Sequence, residues 1–254
     1  MSQMTLTALP NYPMVEPGDD LAAQILSSLN DATLSLADGD VLVLAQKIVS
    51  KAENRYGYYN AVEPSEEAKK LAVEIDKDPR LVELILSESK EVVRKRPGVV
   101  VVEHRLGYVH ANAGIDKSNI SSDDDNPRVL LLPLDSDASA RGLQQAIATL
   151  TGKTVYIIIN DSAGRAWRNG TAGMAIGTAG FEPLENLIGS NDLFERPMEV
   201  TEVAVADELA AAASFMMGQA AEGAPVVHIR GAKLQAADCG SRSLIREKAK
   251  DLFR

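Results

Sequence analysis

The sequence predicts an α+β fold, with mixed or antiparallel sheets and helices packed against them. Three observations carry this. Apolar runs of strand length recur along the chain: "VLVLAQK" (41–47), "GVVVVEH" (98–104), "RVLLLPL" (128–134), "VYIIIN" (155–160) and "PVVHIRG" (225–231). Segments between them space their apolar residues as helices do. Strict strand–helix alternation then fails at "EHRLGYVHANAG", where Arg105-Leu106-Gly107 has the composition of a hairpin turn.

Each element has its own signal. "DDLAAQILSSLND" carries Leu21, Ile25 and Leu29 four apart, with Asp19 and Asp20 at its start, and predicts a helix. The apolar runs lack alternation, which predicts strands covered on both faces. "SEEAKKLAVEI" opens on Ser65, a predicted N-cap. "DPRLVELILSESKEVVRKR" comes next, with Asp78 as cap and Pro79 in the first turn, and places the basic run 94–96 at a helix end. "GIDKSNISSDDDNPR" reads as a polar loop whose acids 123–125 are solvated surface. "DASARGLQQAIATLTG" and "VTEVAVADELAAAASFMMGQA" complete the helices. The alanine-rich stretch 204–213 has two uses open to it, a core face or a partner face. No repeat and no Gly/Ser- or Pro-rich linker divides the chain. A single domain over 1–254 is expected, with two intertwined lobes left open.

Composition excludes several classes. The 254 residues are 45% hydrophobic, ample for one large domain. The net charge of −10 argues against a general nucleic-acid binder, which shows a basic stripe. One cysteine, Cys239, forms no internal disulfide, so a reducing cytoplasm is the expected compartment. The N-terminus lacks a basic start before an apolar run, so no signal peptide is expected. No run approaches the roughly 20 apolar residues that span a bilayer, so no membrane partner is expected.

Several motifs fail on inspection. Gly152-Lys153-Thr154 lacks the upstream glycine of a phosphate loop, since Ile147 stands there. Glycines 170, 173, 177 and 180 do not give the dinucleotide spacing. His104, His110 and His228 lie in or beside strand-like runs, and none has a helical partner histidine. Three other segments offer hard-cation ligands. "HANAGIDKSN" holds Asp116 and Asn119, the strand 155–160 is expected to end in Asp161-Ser162, and "FMMGQAAEGAP" holds Gln219 at a helix end. Carboxylate, hydroxyl and amide oxygens suit Mg²⁺ or Mn²⁺. Two such ions bridging phosphate oxygens suit phosphoryl transfer. Arg165 and Arg168 come after Asp161 and supply the charge an anionic substrate needs. An ordinary turn or cap remains an open reading at each place.

These residues bring a family into view. "YPMVEPGDDL", "GDVLVLAQKIVSKAENR", "KDPRLVELILSES", "VEHRLGYVHANAGIDKSN", "LPLDSDASAR", "VTEVAVADELAAAA" and "LIREKAKDLFR" stand in the order of the coenzyme F420-0:L-glutamate ligase family, which the chain resembles nearly end to end. The resemblance is to its stand-alone form, without the additional flavin-binding domain of some relatives.

The resemblance implies a GTP-dependent ligase that joins L-glutamate in γ-linkage to the deazaflavin coenzyme F420-0. An acyl phosphate on the substrate carboxylate is implied, with catalysis mainly by positioning and charge stabilisation. Pro13, Met14 and Val15 would line the nucleotide site. Gln46, Lys47 and Lys51 would approach the nucleotide or its phosphates. Asp116 and Asp161 would hold one metal, and Ser162 with Gln219 the second. K⁺ is a further candidate ion. Asn119 and the segment Met217, Gly218, Gln219, Ala220, Ala221, Glu222, Gly223 and Ala224 would complete the GTP pocket. Arg165 and Arg168 would balance the anionic substrates beside Asp116 and Asp161, and a homodimer is implied. The chain departs from the family pattern at Ala163, which replaces a large apolar residue, and at Thr171, Ala172 and Gly173, which replace Gln-Thr-Asp. Those departures leave open a same-fold ligase for another small carboxylate, or a nucleotide- and metal-binding protein without ligase activity.

Overall fold

A computed structural model describes residues 3–253; residues 1, 2 and 254 of the expected domain lie outside the described residues. In chain order the strands are β1 (Thr5–Ala8), β2 (Val41–Ala45), β3 (Tyr56–Tyr58), β4 (Ser89–Arg96), β5 (Val99–His104), β6 (Val109–Ala111), β7 (Arg128–Leu130), β8 (Tyr156–Arg165), β9 (Arg168–Ala179), β10 (Glu185–Asn186), β11 (Glu202–Val203) and β12 (Val226–Arg230). The helices are α1 (Leu21–Asp31), α2 (Gln46–Ala52), α3 (Glu66–Ile75), α4 (Pro79–Ser87), α5 (Ser136–Thr151) and α6 (Val205–Met217). The architecture is α+β, as the sequence predicts.

One mixed five-stranded sheet runs in the order β1-β12-β2-β8-β9. Only β2 and β8 pair in parallel; the other neighbours are antiparallel. Alternate residues of β2 serve opposite faces. Leu42 and Leu44 pack with α1 and α5, while Val41 and Val43 pack with α6. The unbroken apolar run therefore does report cover on both faces. Ala206, Leu209, Ala210 and Ala213 are buried in the second of these layers, so the alanine-rich helix has a core face. A third apolar cluster joins α3, α4, β5 and β7. No helix among the described residues is long and apolar enough to cross a membrane.

The predicted caps Ser65 and Asp78 are present, their side chains accepting backbone N–H groups in the first turns of α3 and α4. Asp20, placed at a helix start, caps α1, and Asp135, which the sequence reading did not single out, caps α5. The hairpin turn at 105–107 is present too, joining β5 to β6.

Other expectations are corrected. The helix from Pro79 stops at Ser87, and the basic run 94–96 lies on β4, not at a helix end. Glu88 ends the helix because its carboxylate is drawn to Arg55 (2.9 Å) and Arg105 (3.0 Å). Burial opposes its charge, yet His104 and the two arginines hold its pKa down at about 2. Beyond it, β4 pairs with β5 as an edge strand. Exposed cations there protect the open edge from strand pairing with other chains. Run 98–104 is not covered on both faces: Val100, Val102 and His104 are buried and the residues between them are partly exposed. Run 128–134 is a strand only as far as Leu130. Strand β8 does not end at Asp161 but continues to Arg165.

Strand β9 explains the glycines that fit no nucleotide motif. A Cβ on Gly177 would lie 2.4 Å from the Ser136 carbonyl oxygen at the start of α5. One on Gly173 would lie 2.4 Å from the Ala210 carbonyl oxygen of α6 and 2.6 Å from Asn160 Oδ1. These glycines let a helix approach each face of the strand. At Gly173, where the family pattern has an aspartate, the close approach of α6 leaves no room for a side chain. Gly177→Ala is expected to lower the unfolding free energy by about 1–3 kcal/mol, the usual range for overpacking. Urea denaturation measures it, and an unchanged midpoint would contradict the close approach.

Candidate active site

The parallel pair sets the site. Ala45 at the end of β2 lies opposite Asn160 of β8. Helix α2 begins directly after Ala45, so Lys47 and Lys51, one turn apart, share a face. On β8 the register shifts between Ile159 and Asn160. The extra residue is Ile176 of β9, left without a partner between Gly177 and Ala175, so β8 itself runs on without interruption into Asp161 and Ser162. The C-terminal end of α6 and its glycine-flanked loop close the opposite wall.

These elements enclose a cleft of about 580 Å³. Lys47 Nζ lies 2.7 Å from Asp116 Oδ2 and donates to Ser118 Oγ at 2.7 Å. The Ser118 N–H donates to Asp116 Oδ1 at 2.7 Å, pinning the second carboxylate oxygen. Lys51 Nζ donates to the Asn119 carbonyl at 2.8 Å, and Asn119 Nδ2 donates to the Ala220 carbonyl at 2.9 Å. Those two bonds tie α2, the 116–120 loop and the 217–225 loop together. Ser162 Oγ donates to Gln219 Oε1 at 2.7 Å, and Gln219 Nε2 donates to Ser214 Oγ at 3.0 Å.

The charges are unequally satisfied. Burial raises the Asp116 pKa, but bonds from Lys47 and Ser118 outweigh it and hold the carboxyl below its usual range. Asp161 has no such cation. Burial, with the Asp116 charge adding to it, pushes its pKa up to about 7 against the Ser162 N–H and the more remote Lys47. Burial also lowers the Lys51 pKa, with Lys47 and Arg128 adding and Glu16 opposing. Burial, then the His104 charge, pushes His110 down to about 4.

The donor set fits a hard divalent cation. Asp116, Asp161, Ser162 and Gln219 offer oxygens only, and the under-compensated Asp161 is what an added positive charge would relieve. Among the described residues no three of His, Cys, Asp and Glu form a ready-made cage. Two carboxylates with neutral oxygens leave positions for ligand oxygens and water. A cation on Asp116 competes with Lys47, which occupies that carboxylate here.

Nearly all the residues singled out from sequence line this one cleft: Pro13, Met14, Val15, Gln46, Lys47, Lys51, Asp116, Asn119, Asp161, Ser162 and the whole segment Met217–Ala224. Arg165 and Arg168 do not. They pair across the tip of the β8–β9 hairpin, and neither lines the cleft. Because β8 continues past Asp161 as an extended strand, four residues carry Arg165 about 13 Å along it. Sequence reasoning missed Tyr12, Ser118, Asn160 and Ser214, which also line the cleft. It also missed His110, whose Nδ1 lies 3.6 Å from Asp161 Oδ2. The Asp116-x-Ser118 spacing, which favours a side-chain turn, was a usable signal for Ser118.

Carboxylates, ammonium groups and amides converging at the carboxyl end of a buried strand mark the chain as an α+β protein with a polar small-molecule cleft. The sequence pattern of the F420-0:gamma-glutamyl ligase family matches residues 11–231. The coenzyme F420:L-glutamate ligase of Methanothermobacter thermautotrophicus is 44% identical over 254 residues, covering 99% of each chain. The proteins of the same name from Methanocaldococcus jannaschii and Archaeoglobus fulgidus are 43% and 40% identical, the first over 88% of each chain, the second over 95% of this chain and 93% of its own. The chain belongs to the F420-0:gamma-glutamyl ligase family.

The raised Asp161 carboxyl gives stability a pH dependence. In metal-free protein the folded state keeps its proton up to about pH 7, whereas an unfolded aspartate loses it near pH ~4. Stability is therefore full below pH ~4, falls as pH rises towards about 7, and is flat beyond. Asp161→Asn should remove this slope, and saturating Mn²⁺ should raise the melting temperature of the wild type but not of the variant. Parallel pH profiles for the two proteins would count against the assignment.

Proposed function

We propose that the chain is a GTP-dependent ligase that adds L-glutamate in γ-linkage to the deazaflavin coenzyme F420-0, assisted by Mg²⁺ or Mn²⁺. The carrying observation is the convergence of Asp116, Asp161, Ser162 and Gln219 with Lys47 and Lys51 on one cleft. The family match and the relatives' names support the choice of substrates.

The chemistry runs in two balanced steps. The substrate carboxylate attacks the γ-phosphorus of GTP, and the bond to the β-phosphate oxygen breaks, giving an acyl phosphate and GDP. The glutamate amine then attacks the acyl carbon; phosphate leaves, and the amine proton passes to solvent or a base. The γ-linkage arises when the same two steps activate the γ-carboxylate of a glutamate already attached. Phosphorylation is needed because a free carboxylate is a poor electrophile. The divalent ions, when bound, neutralise the phosphate oxygens as charge shifts among them. Lys47 and Lys51 project from one face of α2 and supply fixed positive charge along the same wall. Ser162 and Gln219 hold each other across the cleft and fix the separation of its two walls. Pro13, Met14 and Val15 offer an extended edge, of which Met14 is exposed and Val15 buried, suited to a flat base. Thr171, Ala172 and Gly173 lie outside the cleft lining, so they supply no observation for a different acceptor.

The test is incubation with GTP, Mn²⁺, L-glutamate and the deazaflavin substrate, then mass spectrometry of the products. Added glutamyl residues, with one GDP and one phosphate released for each, are expected; GDP release without a glutamylated product would overturn the acceptor assignment. Lys51→Ala should weaken GTP binding roughly 10- to 100-fold, the loss of a charged hydrogen bond of about 1.5–3 kcal/mol. Guanosine should lose far less. Calorimetry showing equal losses for both would remove Lys51 from the phosphate contact.

A further inference from the structure

We infer that His110 is a positioning residue that aims the Asp161 carboxylate into the cleft through its Nδ1–H. The inference deepens the proposed function and rests on it for the role of Asp161. His110 sits in the middle of β6, paired with Val102 of β5, and its side chain is 5% exposed. Its Nε2 is buried and has no hydrogen-bond partner. Its Nδ1 faces Asp161 Oδ2 at 3.6 Å. A buried ring nitrogen carries its proton where an acceptor stands, and the acceptor in reach here is on the Nδ1 side. The gap is a few tenths of an ångström beyond a good hydrogen bond, so a small shift of the carboxylate closes it.

The surroundings hold the ring in that aim. Tyr108 packs its ring against His110 edge-on, with centroids 6.1 Å apart and planes at 71°. Tyr108 is itself fixed: its hydroxyl donates to the Ile176 carbonyl of β9 and lies 3.3 Å from Ser241 Oγ. The Ser241 N–H in turn donates to Asp137 Oδ1 in the first turn of α5 at 2.8 Å. On the other side, Asp161 Oδ1 accepts the Ser162 N–H at 2.8 Å. Oδ1 is thus held by the Ser162 N–H, while Oδ2 faces Nδ1 across the 3.6 Å gap, and the remaining lone pairs are left for the cleft. A ligating carboxylate steadied by an outer hydrogen bond loses about 10- to 100-fold in metal affinity when that partner is removed.

The chain has only three histidines, so ¹⁵N-histidine spectra resolve His110 by comparison with a variant. Above pH ~7, where the Asp161 carboxyl has lost its proton, the Nδ1–H tautomer is expected, and Asp161→Ala should abolish that preference. His110→Phe should weaken Mn²⁺ binding about 10- to 100-fold and lower kcat while leaving KM for glutamate near wild type. His110→Asn, whose amide can reach the place of Nδ1, should restore most of both. Circular dichroism checks that the phenylalanine variant folds; if it does not, the tautomer and the asparagine variant decide. An Nε2–H tautomer, or a folded His110→Phe protein with wild-type Mn²⁺ affinity, overturns the inference. Wild-type protein that binds no Mn²⁺ yet shows the Asp161-dependent Nδ1–H tautomer supports the contact and overturns the metal role of Asp161 instead.

Discussion

The parallel pairing of β2 with β8 is the constraint on which the rest depends. Five residues of each strand pair in register, Val41 with Tyr156 through Ala45 with Asn160. Parallel strands end on the same side of a sheet, so the residues just beyond Ala45 and Asn160 are brought together. Those residues are Gln46 and Lys47 on one strand and Asp161 and Ser162 on the other. The pair is buried on both faces, and a slip of one residue would exchange its two apolar sets between the α1/α5 layer and the α6 layer. The core therefore decides which residues meet, and the polar contacts across the cleft then tie its walls together.

The two helix layers then fix the depth of the cleft. Helix α6 lies close on β9 because Gly173 presents no side chain to Ala210 and Ser214. That approach sets where α6 ends, and its end delivers Gln219 to Ser162. The same logic on the opposite face seats the start of α5 on Gly177. Electrostatics completes the arrangement. One carboxylate has a lysine and the other lacks one, so the cleft is poised to accept further positive charge at Asp161.

Much of this was legible in the sequence because much of it is local. Helix caps at Ser65 and Asp78 are contacts over two or three residues, and they are legible in the sequence. The errors fall where distant residues decide. Helical spacing after Pro79 continues well beyond Ser87, but Glu88 is claimed by Arg55 and Arg105, which are 33 and 17 residues away. Beyond it, pairing with β5 outweighs local preference. Arg165 and Arg168 looked like neighbours of Asp161 because sequence distance was read as spatial distance. An extended strand separates them from it.

By itself the sequence determined the α+β class, the two-faced burial of the central strands, the starts of α1, α3 and α4 and the residue types that line the cleft, because periodicity, caps and side-chain chemistry are properties of short segments. Gln46 and Lys47 read as strand, where α2 begins. Only the tertiary structure decided which of those residues meet. It carried β8 past Asp161, moved the two arginines to a hairpin tip, and placed His110 beside Asp161 and Gln219 beside Ser162. The physical reason is that strand register and bulges are set by partners far along the chain. A single-residue change in either reverses which side chains face the cleft.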